Sequence, residues 1–117
     1  MGNIVNLDGS NKSNAAEELE GLLIGDEDIE RASRSLKAMA HPLRLKILCT
    51  LGNNELSVQE IVDRVGTSQS NISQHLSILR DKGILDSYKD ANRVFYHVGD
   101  KRTLRLIDMM REVFCSC

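Results

Sequence analysis

Ser57-Val58-Gln59-Glu60-Ile61-Val62-Asp63-Arg64-Val65-Gly66-Thr67-Ser68-Gln69-Ser70-Asn71-Ile72-Ser73-Gln74-His75-Leu76 is the stretch that decides the fold. Ser57 followed three residues later by Glu60 is a capping box, in which the two residues satisfy each other's orphan amides at a helix start. The short helix it opens offers Val58, Ile61, Val62 and Val65 for burial. Gly66 supplies the left-handed position that ends a helix and turns the chain. Thr67 or Ser68 caps the next helix, whose apolar positions are Ile72, Leu76 and Leu79 and which runs to about Lys82 before Gly83. A short helix, a tight glycine turn and a longer capped helix make a helix-turn-helix.

Working outward, two β-like runs follow, Ile84 to Lys89 and Arg93 to Val98, joined by the turn-prone Asp90-Ala91-Asn92. They predict a hairpin beside the second helix, that is, a wing. A closing helix spans about Lys101 to Phe114, with Leu104, Ile107, Met110, Val113 and Phe114 as its apolar side. Upstream, Ile29, Ala32, Leu36 and Met39 are spaced for one face of a helix. Pro42 suits the first turn of another, which carries Leu45, Leu48 and Cys49 and ends near Gly52. Ala15 to Ile24 allow a short amphipathic helix, weakened by Gly21 and Gly25, and residues 1–14 show no periodicity. The expected fold is mainly α with a β-hairpin wing (α+β), a winged helix-turn-helix. Residues 1–28 are read as an acidic, unstructured tail and residues 29–117 as one DNA-binding and dimerisation domain.

Charge is divided along the chain. Residues 1–30 hold one base and eight acids, a net of −7, while residues 31–117 hold 14 bases and nine acids, a net of +5. An acidic tail on a basic body suits phosphate binding by the body. No apolar run approaches a membrane span and no secretory signal opens the chain, so a cytoplasmic protein without membrane association is expected. Three cysteines, Cys49, Cys115 and Cys117, are an odd number for a structural disulfide framework. Reactivity, metal ligation and plain packing all stay open for them.

If Ile72, Leu76 and Leu79 face inward, Gln69, Ser70, Ser73, Gln74 and Ser77 face outward. An ordinary surface helix would present Glu and Lys there. A neutral Ser/Gln face can instead approach phosphates and base edges, and Gln pairs in bidentate fashion with adenine. His75 lies between the two faces, as a phosphate contact or as a ring wedged against the wing. Lys89 and Arg93 bracket the wing turn, where a basic tip can grip phosphate or enter the minor groove. Two such units one helical turn of DNA apart need a dimer. The first and last helices, with apolar stripes to spare, are its expected interface, so the partners are double-stranded operator DNA and a second copy. No Cys-x-x-Cys opens a helix after a strand, and no Ser/His/Asp or paired-carboxylate set stands out. We therefore expect no enzyme and no cofactor. A winged helix that binds protein instead of DNA is disfavoured by the Ser/Gln face.

The stretches Leu36-Lys37-Ala38-Met39-Ala40-His41-Pro42-Leu43-Arg44-Leu45-Lys46-Ile47-Leu48, Glu55-Leu56-Ser57-Val58 and Ser68-Gln69-Ser70-Asn71-Ile72-Ser73-Gln74-His75-Leu76, with the wing Arg93-Val94-Phe95-Tyr96-His97-Val98, resemble the arsenic-repressor (ArsR/SmtB) family. The resemblance covers about residues 30–115. It implies a dimeric repressor that leaves its operator when an inducer binds, with Gln69, Ser70, Ser73 and Gln74 at DNA-contact positions. Two familiar inducer sites are missing. The segment Leu56-Ser57-Val58-Gln59-Glu60 has no Cys-x-Cys, and the final helix carries Asp100, Asp108 and Glu112 but no His, so no metal ligand cluster is expected. Cys49 and Cys115, 66 positions apart, are placed as in the sulfide- and redox-responsive subgroup (BigR, SqrR and HlyU types). That resemblance implies a redox switch in which the two thiols are joined by a disulfide or polysulfide bridge and DNA is released, the inducer being a reactive sulfur species or an oxidant. Lys46 and Arg111, one helical turn from each thiol, are expected to favour thiolate. Cys117 departs from the two-cysteine pattern. With Cys49 and Cys115 it offers three thiolates for arsenite, antimonite or a soft metal.

Overall fold

Helix starts in this chain are written by side-chain acceptors. Ser57 Oγ accepts from the Glu60 amide at 3.2 Å while Glu60 Oε1 accepts from the Ser57 amide at 2.8 Å, completing the capping box. Ser68, not Thr67, caps the following helix, its Oγ accepting from the Asn71 amide at 3.1 Å. His41 Nδ1 accepts from the Leu43 amide ahead of Pro42, and Asp100 Oδ1 from the Arg102 amide. These caps fix the order of elements in the computed structural model, which describes residues 25–115. The elements are α1 (Asp26–Met39), α2 (Pro42–Leu51), β1 (Leu56–Ser57), α3 (Val58–Val65), α4 (Gln69–Asp81), β2 (Leu85–Asp90), β3 (Arg93–Val98) and α5 (Lys101–Phe114). Two compact units divide within α1, after Ser33. The hydrophobic core belongs to the second, Arg34–Cys117.

The helix expected from Ile29 begins earlier, at Asp26. Asp26, Glu27 and Asp28 occupy its first turn, where carboxylates complement the exposed amides and the positive end of the helix dipole. The expected helix over Ala15 to Ile24 and the tail before it lie outside the described residues.

Between α3 and α4 the chain turns on Gly66, at φ 89°. A side chain there would be held in the left-handed region that L-residues avoid. The turn delivers Ile61 and Val65 of α3 and Ile72, Leu76 and Leu79 of α4 into one core with Ile47, Leu48 and Leu51 of α2. Val58 and Val62, expected inside, pack at the edge of that core. On α2 the buried positions are Ile47, Leu48 and Leu51, whereas Leu45 and Cys49 are only half-buried.

The sheet has three antiparallel strands in the order β1-β3-β2. Strand β1 pairs Leu56 with Tyr96 and Ser57 with Phe95, tying the start of α3 to the wing. The hairpin register runs from Leu85 opposite Val98 to Asp90 opposite Arg93, so the loop is two residues, Ala91-Asn92, rather than the three expected. Two-residue hairpins demand a positive φ at their centre, and Ala91 takes it at 58°. Replacing Ala91 with glycine is expected to stabilise the protein by about 0.5–1 kcal/mol, since the strain relieved exceeds the entropy added to the unfolded chain. Urea unfolding, with an unchanged dependence on denaturant, checks this.

Helix α5 leaves most of its apolar side uncovered. Ile107 is buried and Leu104 and Met110 are half-buried, but Leu106, Met109, Val113 and Phe114 are exposed, Phe114 by 79%. Leu36 of α1 is exposed as well, and an apolar groove lined by Leu36, Met39, Leu45, Leu106, Ile107 and Met110 runs between α1, α2 and α5. Among the described residues no helix is long and apolar enough to cross a membrane.

Candidate nucleic-acid interface

Burial of Ile72, Leu76 and Leu79 sets the rotation of α4 and so decides what it shows to solvent. Gln69, Ser70 and Gln74 are exposed, while Ser73, His75 and Ser77 are half-buried along the edge of that face. The N-terminal half of α4 therefore presents amides and hydroxyls with no charged side chain before Arg80. Thr67, expected only as an alternative cap, and Asn71, not singled out from sequence, steady this end, the Asn71 amide nitrogen donating to Thr67 Oγ1 at 3.3 Å.

The two basic wing residues part company. Lys89 is exposed on β2, opposite Val94. Arg93 folds back toward α3: its guanidinium donates to Ser57 Oγ at 3.0 Å and lies 5.2 Å from the centre of the Phe95 ring. Phe95 in turn stacks on Tyr88 at 5.4 Å, and the Tyr88 hydroxyl donates to Glu55 Oε1 at 2.8 Å. This ladder follows from the hairpin register, which puts Tyr88 opposite Phe95 on the outer face. Arg93 and Gln69 line one recess with Ser57, Gln59 and Asn92, so the wing and the start of α4 meet around a guanidinium. The last three residues were not among the sequence candidates. Local sequence marks Ser57 only as a helix cap and Asn92 only as a turn residue, because the recess forms only when β1 pairs with β3. Ser57 thus serves a helix cap and a wing anchor at once, and its side chain is buried. Ser57→Ala is expected to cost about 1–2 kcal/mol of stability, at the upper end for a cap because a second donor is left unpaired. Thermal unfolding measures it.

His75 does not reach the wing. Its ring faces His41, with centroids 4.5 Å apart, and its Nδ1 lies 3.2 Å from NH1 of Arg44. Burial chiefly, then His41 and Arg44, push its pKa below the ordinary histidine value.

The two switch candidates share a neighbourhood. Cys49 sits half-buried on α2 and Cys115 exposed at the end of α5, its amide donating to the Arg111 carbonyl. The expectation that flanking cations favour thiolate fails at Cys49. Burial raises its pKa above the ordinary thiol value. The opposing cation is Arg111 rather than Lys46, and both the Cys115 thiol and Asp108 add to the rise. Helical spacing from Lys46 counted distance along the chain, whereas the field at Cys49 comes from α5 across the fold. Cys117 lies outside the described residues. Among those described, no three His, Cys, Asp or Glu side chains are placed to hold a metal ion.

A capped recognition helix carried by a helix-turn-helix and flanked by a hairpin defines the class: a winged helix-turn-helix DNA-binding protein. Residues 41–87 match the family described as bacterial regulatory protein, arsR family. The chain is 38% identical to the biofilm growth-associated repressor of Agrobacterium fabrum, over 69% of each chain. With the transcriptional activator HlyU of Vibrio cholerae it shares 39% identity, over 84% of this chain and 94% of that one. The structure of reduced HlyU from the same organism superposes with a TM-score of 0.72 at 40% identity, covering 78% of this chain and 96% of that chain. The chain belongs to the arsR family and is a transcriptional regulator.

Proposed function

We propose that this chain is a homodimeric repressor of transcription, released from operator DNA when Cys49 and Cys115 are joined through a disulfide or a longer sulfur bridge. The observation that carries the DNA-binding part is the uncharged face of α4, Gln69, Ser70 and Gln74 exposed beside Ser73 and Ser77, next to a wing whose Lys89 is free to meet phosphate. Arg93 contributes from the recess it shares with Gln69, where a phosphate would meet a guanidinium already oriented by Ser57 and Phe95. The uncovered apolar side of α5 and the adjoining groove suit a second copy, since an exposed patch of this kind on a small domain is normally an interface. Such a regulator works on DNA in the cytoplasm.

Support for the switch comes from Cys49 lying within electrostatic reach of Cys115 and Arg111. The chemistry divides by exposure. Cys115 thiolate, open to solvent, attacks the outer sulfur of an organic persulfide, giving a Cys115 persulfide and releasing the thiol. Cys49 thiolate then attacks the Cys115 sulfur and expels hydrosulfide, so two thiols are oxidised to a disulfide as the sulfane sulfur is reduced. Where both cysteines are persulfidated, the same displacement leaves a trisulfide. Because burial raises the pKa of Cys49, its step speeds up as pH rises through the thiol range.

Titrating the reduced protein against DNA from upstream of its own gene tests this, before and after a sulfane-sulfur donor, peroxide, arsenite and zinc, with mass spectrometry of each sample. Loss of binding together with a Cys49–Cys115 link of two or more sulfurs upholds the switch. Release by arsenite alone, requiring Cys117, replaces it with three-thiolate metalloid sensing. Tight binding untouched by every reagent reduces the cysteines to packing.

A further inference from the structure

Arg44, in the first turns of α2, reaches two other elements at once. Its Nε donates to the carbonyl of Ala38 in the last turn of α1, and its NH1 meets Nδ1 of His75 on α4 at 3.2 Å. A guanidinium has no acceptor, so Nδ1 must accept, which puts the ring proton on Nε2 and keeps the ring neutral. His41 closes the other side, its ring 4.5 Å from that of His75 and its own Nδ1 engaged by the Leu43 amide. The end of α1, the start of α2 and the middle of α4 are thereby held at one point. Arg44 also sits at the negative end of the α1 dipole, which favours a cation. Neither the DNA-facing side chains nor the thiols use this cluster.

We propose that Arg44 is the positioning residue of the recognition helix: through the neutral His75 ring it clasps α4 to the corner of α1 and α2, and protonation of that ring opens the clasp. The inference rests on α4 being the helix that reads DNA. The charged and titratable groups acting on His75 are Arg44 of α2 and His41, the N-cap of that helix, and α1 contributes only the Ala38 carbonyl through Arg44. With its pKa held below the ordinary value, His75 is neutral at physiological pH. As pH falls from about 6.5 through that lowered value, any unclasped state binds the proton first, and Nδ1 changes from acceptor to a donor facing a guanidinium. The advantage of the clasped state is therefore complete above the ordinary histidine pKa and lost toward acid. A histidine that touched phosphate would act with the opposite sign, since protonation would add a cation and tighten binding.

The test is operator affinity by fluorescence anisotropy from about pH 8 to about pH 5.5 at fixed salt, spanning the histidine range, with amide exchange across residues 69–81. We expect affinity to fall toward acid by roughly threefold for each protomer, and His75→Gln, which keeps an acceptor but cannot titrate, to flatten the profile. Arg44→Ala is expected to weaken binding about tenfold at neutral pH and to speed exchange in α4 relative to α2, with Arg44→Lys recovering part of both. Wild-type affinity that rises toward acid, or an acid loss that persists in His75→Gln, would overturn the proposal. So would Arg44→Ala with normal affinity and normal protection of α4. If the protein binds no upstream DNA, the DNA reading fails by itself, and exchange in Arg44→Ala still decides for or against the clasp.

Discussion

Cys49→Ser is expected to bind operator DNA when reduced and to stay bound after sulfane-sulfur treatment that strips the wild type from DNA by about a hundredfold or more. A hundredfold loss corresponds to about 2.7 kcal/mol, a differential of the size that shifts an equilibrium between two folded states when a link is compatible with only one of them. Cys49 lines no part of the DNA-facing surface and packs against the edge of the core, where serine is a small change in volume. The readout is paired: anisotropy with labelled DNA, and intact mass after the donor. Cys49→Ser should still gain sulfur at Cys115 but form no link to position 49. Release of the variant with wild-type efficiency would remove Cys49 from the mechanism.

Gln74→Ala is expected to weaken operator binding by about 30- to 1000-fold in a dimer, at about 1–2 kcal/mol for each half-site if Gln74 makes one bidentate base contact there. Gln74 is exposed and takes part in no cap, so unfolding should be unaffected. Two further signatures separate this loss from damage to the fold. The dependence of affinity on salt should keep its slope, because an uncharged side chain releases no counterion. Discrimination against altered operators should relax at one base pair in each half-site. Lys89→Ala makes the contrast, weakening all sequences alike and shallowing the salt slope. A Gln74→Ala protein with wild-type affinity would move the base-reading role to Gln69 or Ser70.

What the sequence discloses and what it conceals divide along one physical line. Ser57, Glu60, Gly66 and Ser68 act within one turn of their own positions, and Ile72, Leu76 and Leu79 repeat with the period of the helix they line. Such signals are legible because the partner is a near neighbour along the chain. Strand β1 is two residues long, too short for alternation to register, so its pairing with β3 and the recess it creates had no local mark. Arg93 read as a free wing tip because a charged residue beside a turn usually is one, yet Ser57 and Phe95 claim it. From its place between the two faces of α4, His75 can be read as a phosphate contact or as a ring against the wing, whereas its partner Arg44 lies 31 positions upstream. Cys49 misled in the same way. Spacing points to Lys46 on its own helix, whereas the cation that acts on it is Arg111 of α5, and burial, which no spacing reports, is the largest influence on it.

Helix α2 is ten residues long, about 15 Å from end to end, and no proline or glycine interrupts its interior to give it a kink. His41 at its N-cap and Arg44 in its first turn meet the recognition helix at His75, and Cys49 sits five residues beyond Arg44. A sulfur bridge that drew Cys49 toward α5 would therefore rotate the whole helix and displace the opposite end by a comparable distance. Redox chemistry at one end and grip on the DNA-reading helix at the other would then be two ends of one lever, with no chain of intermediaries needed between them.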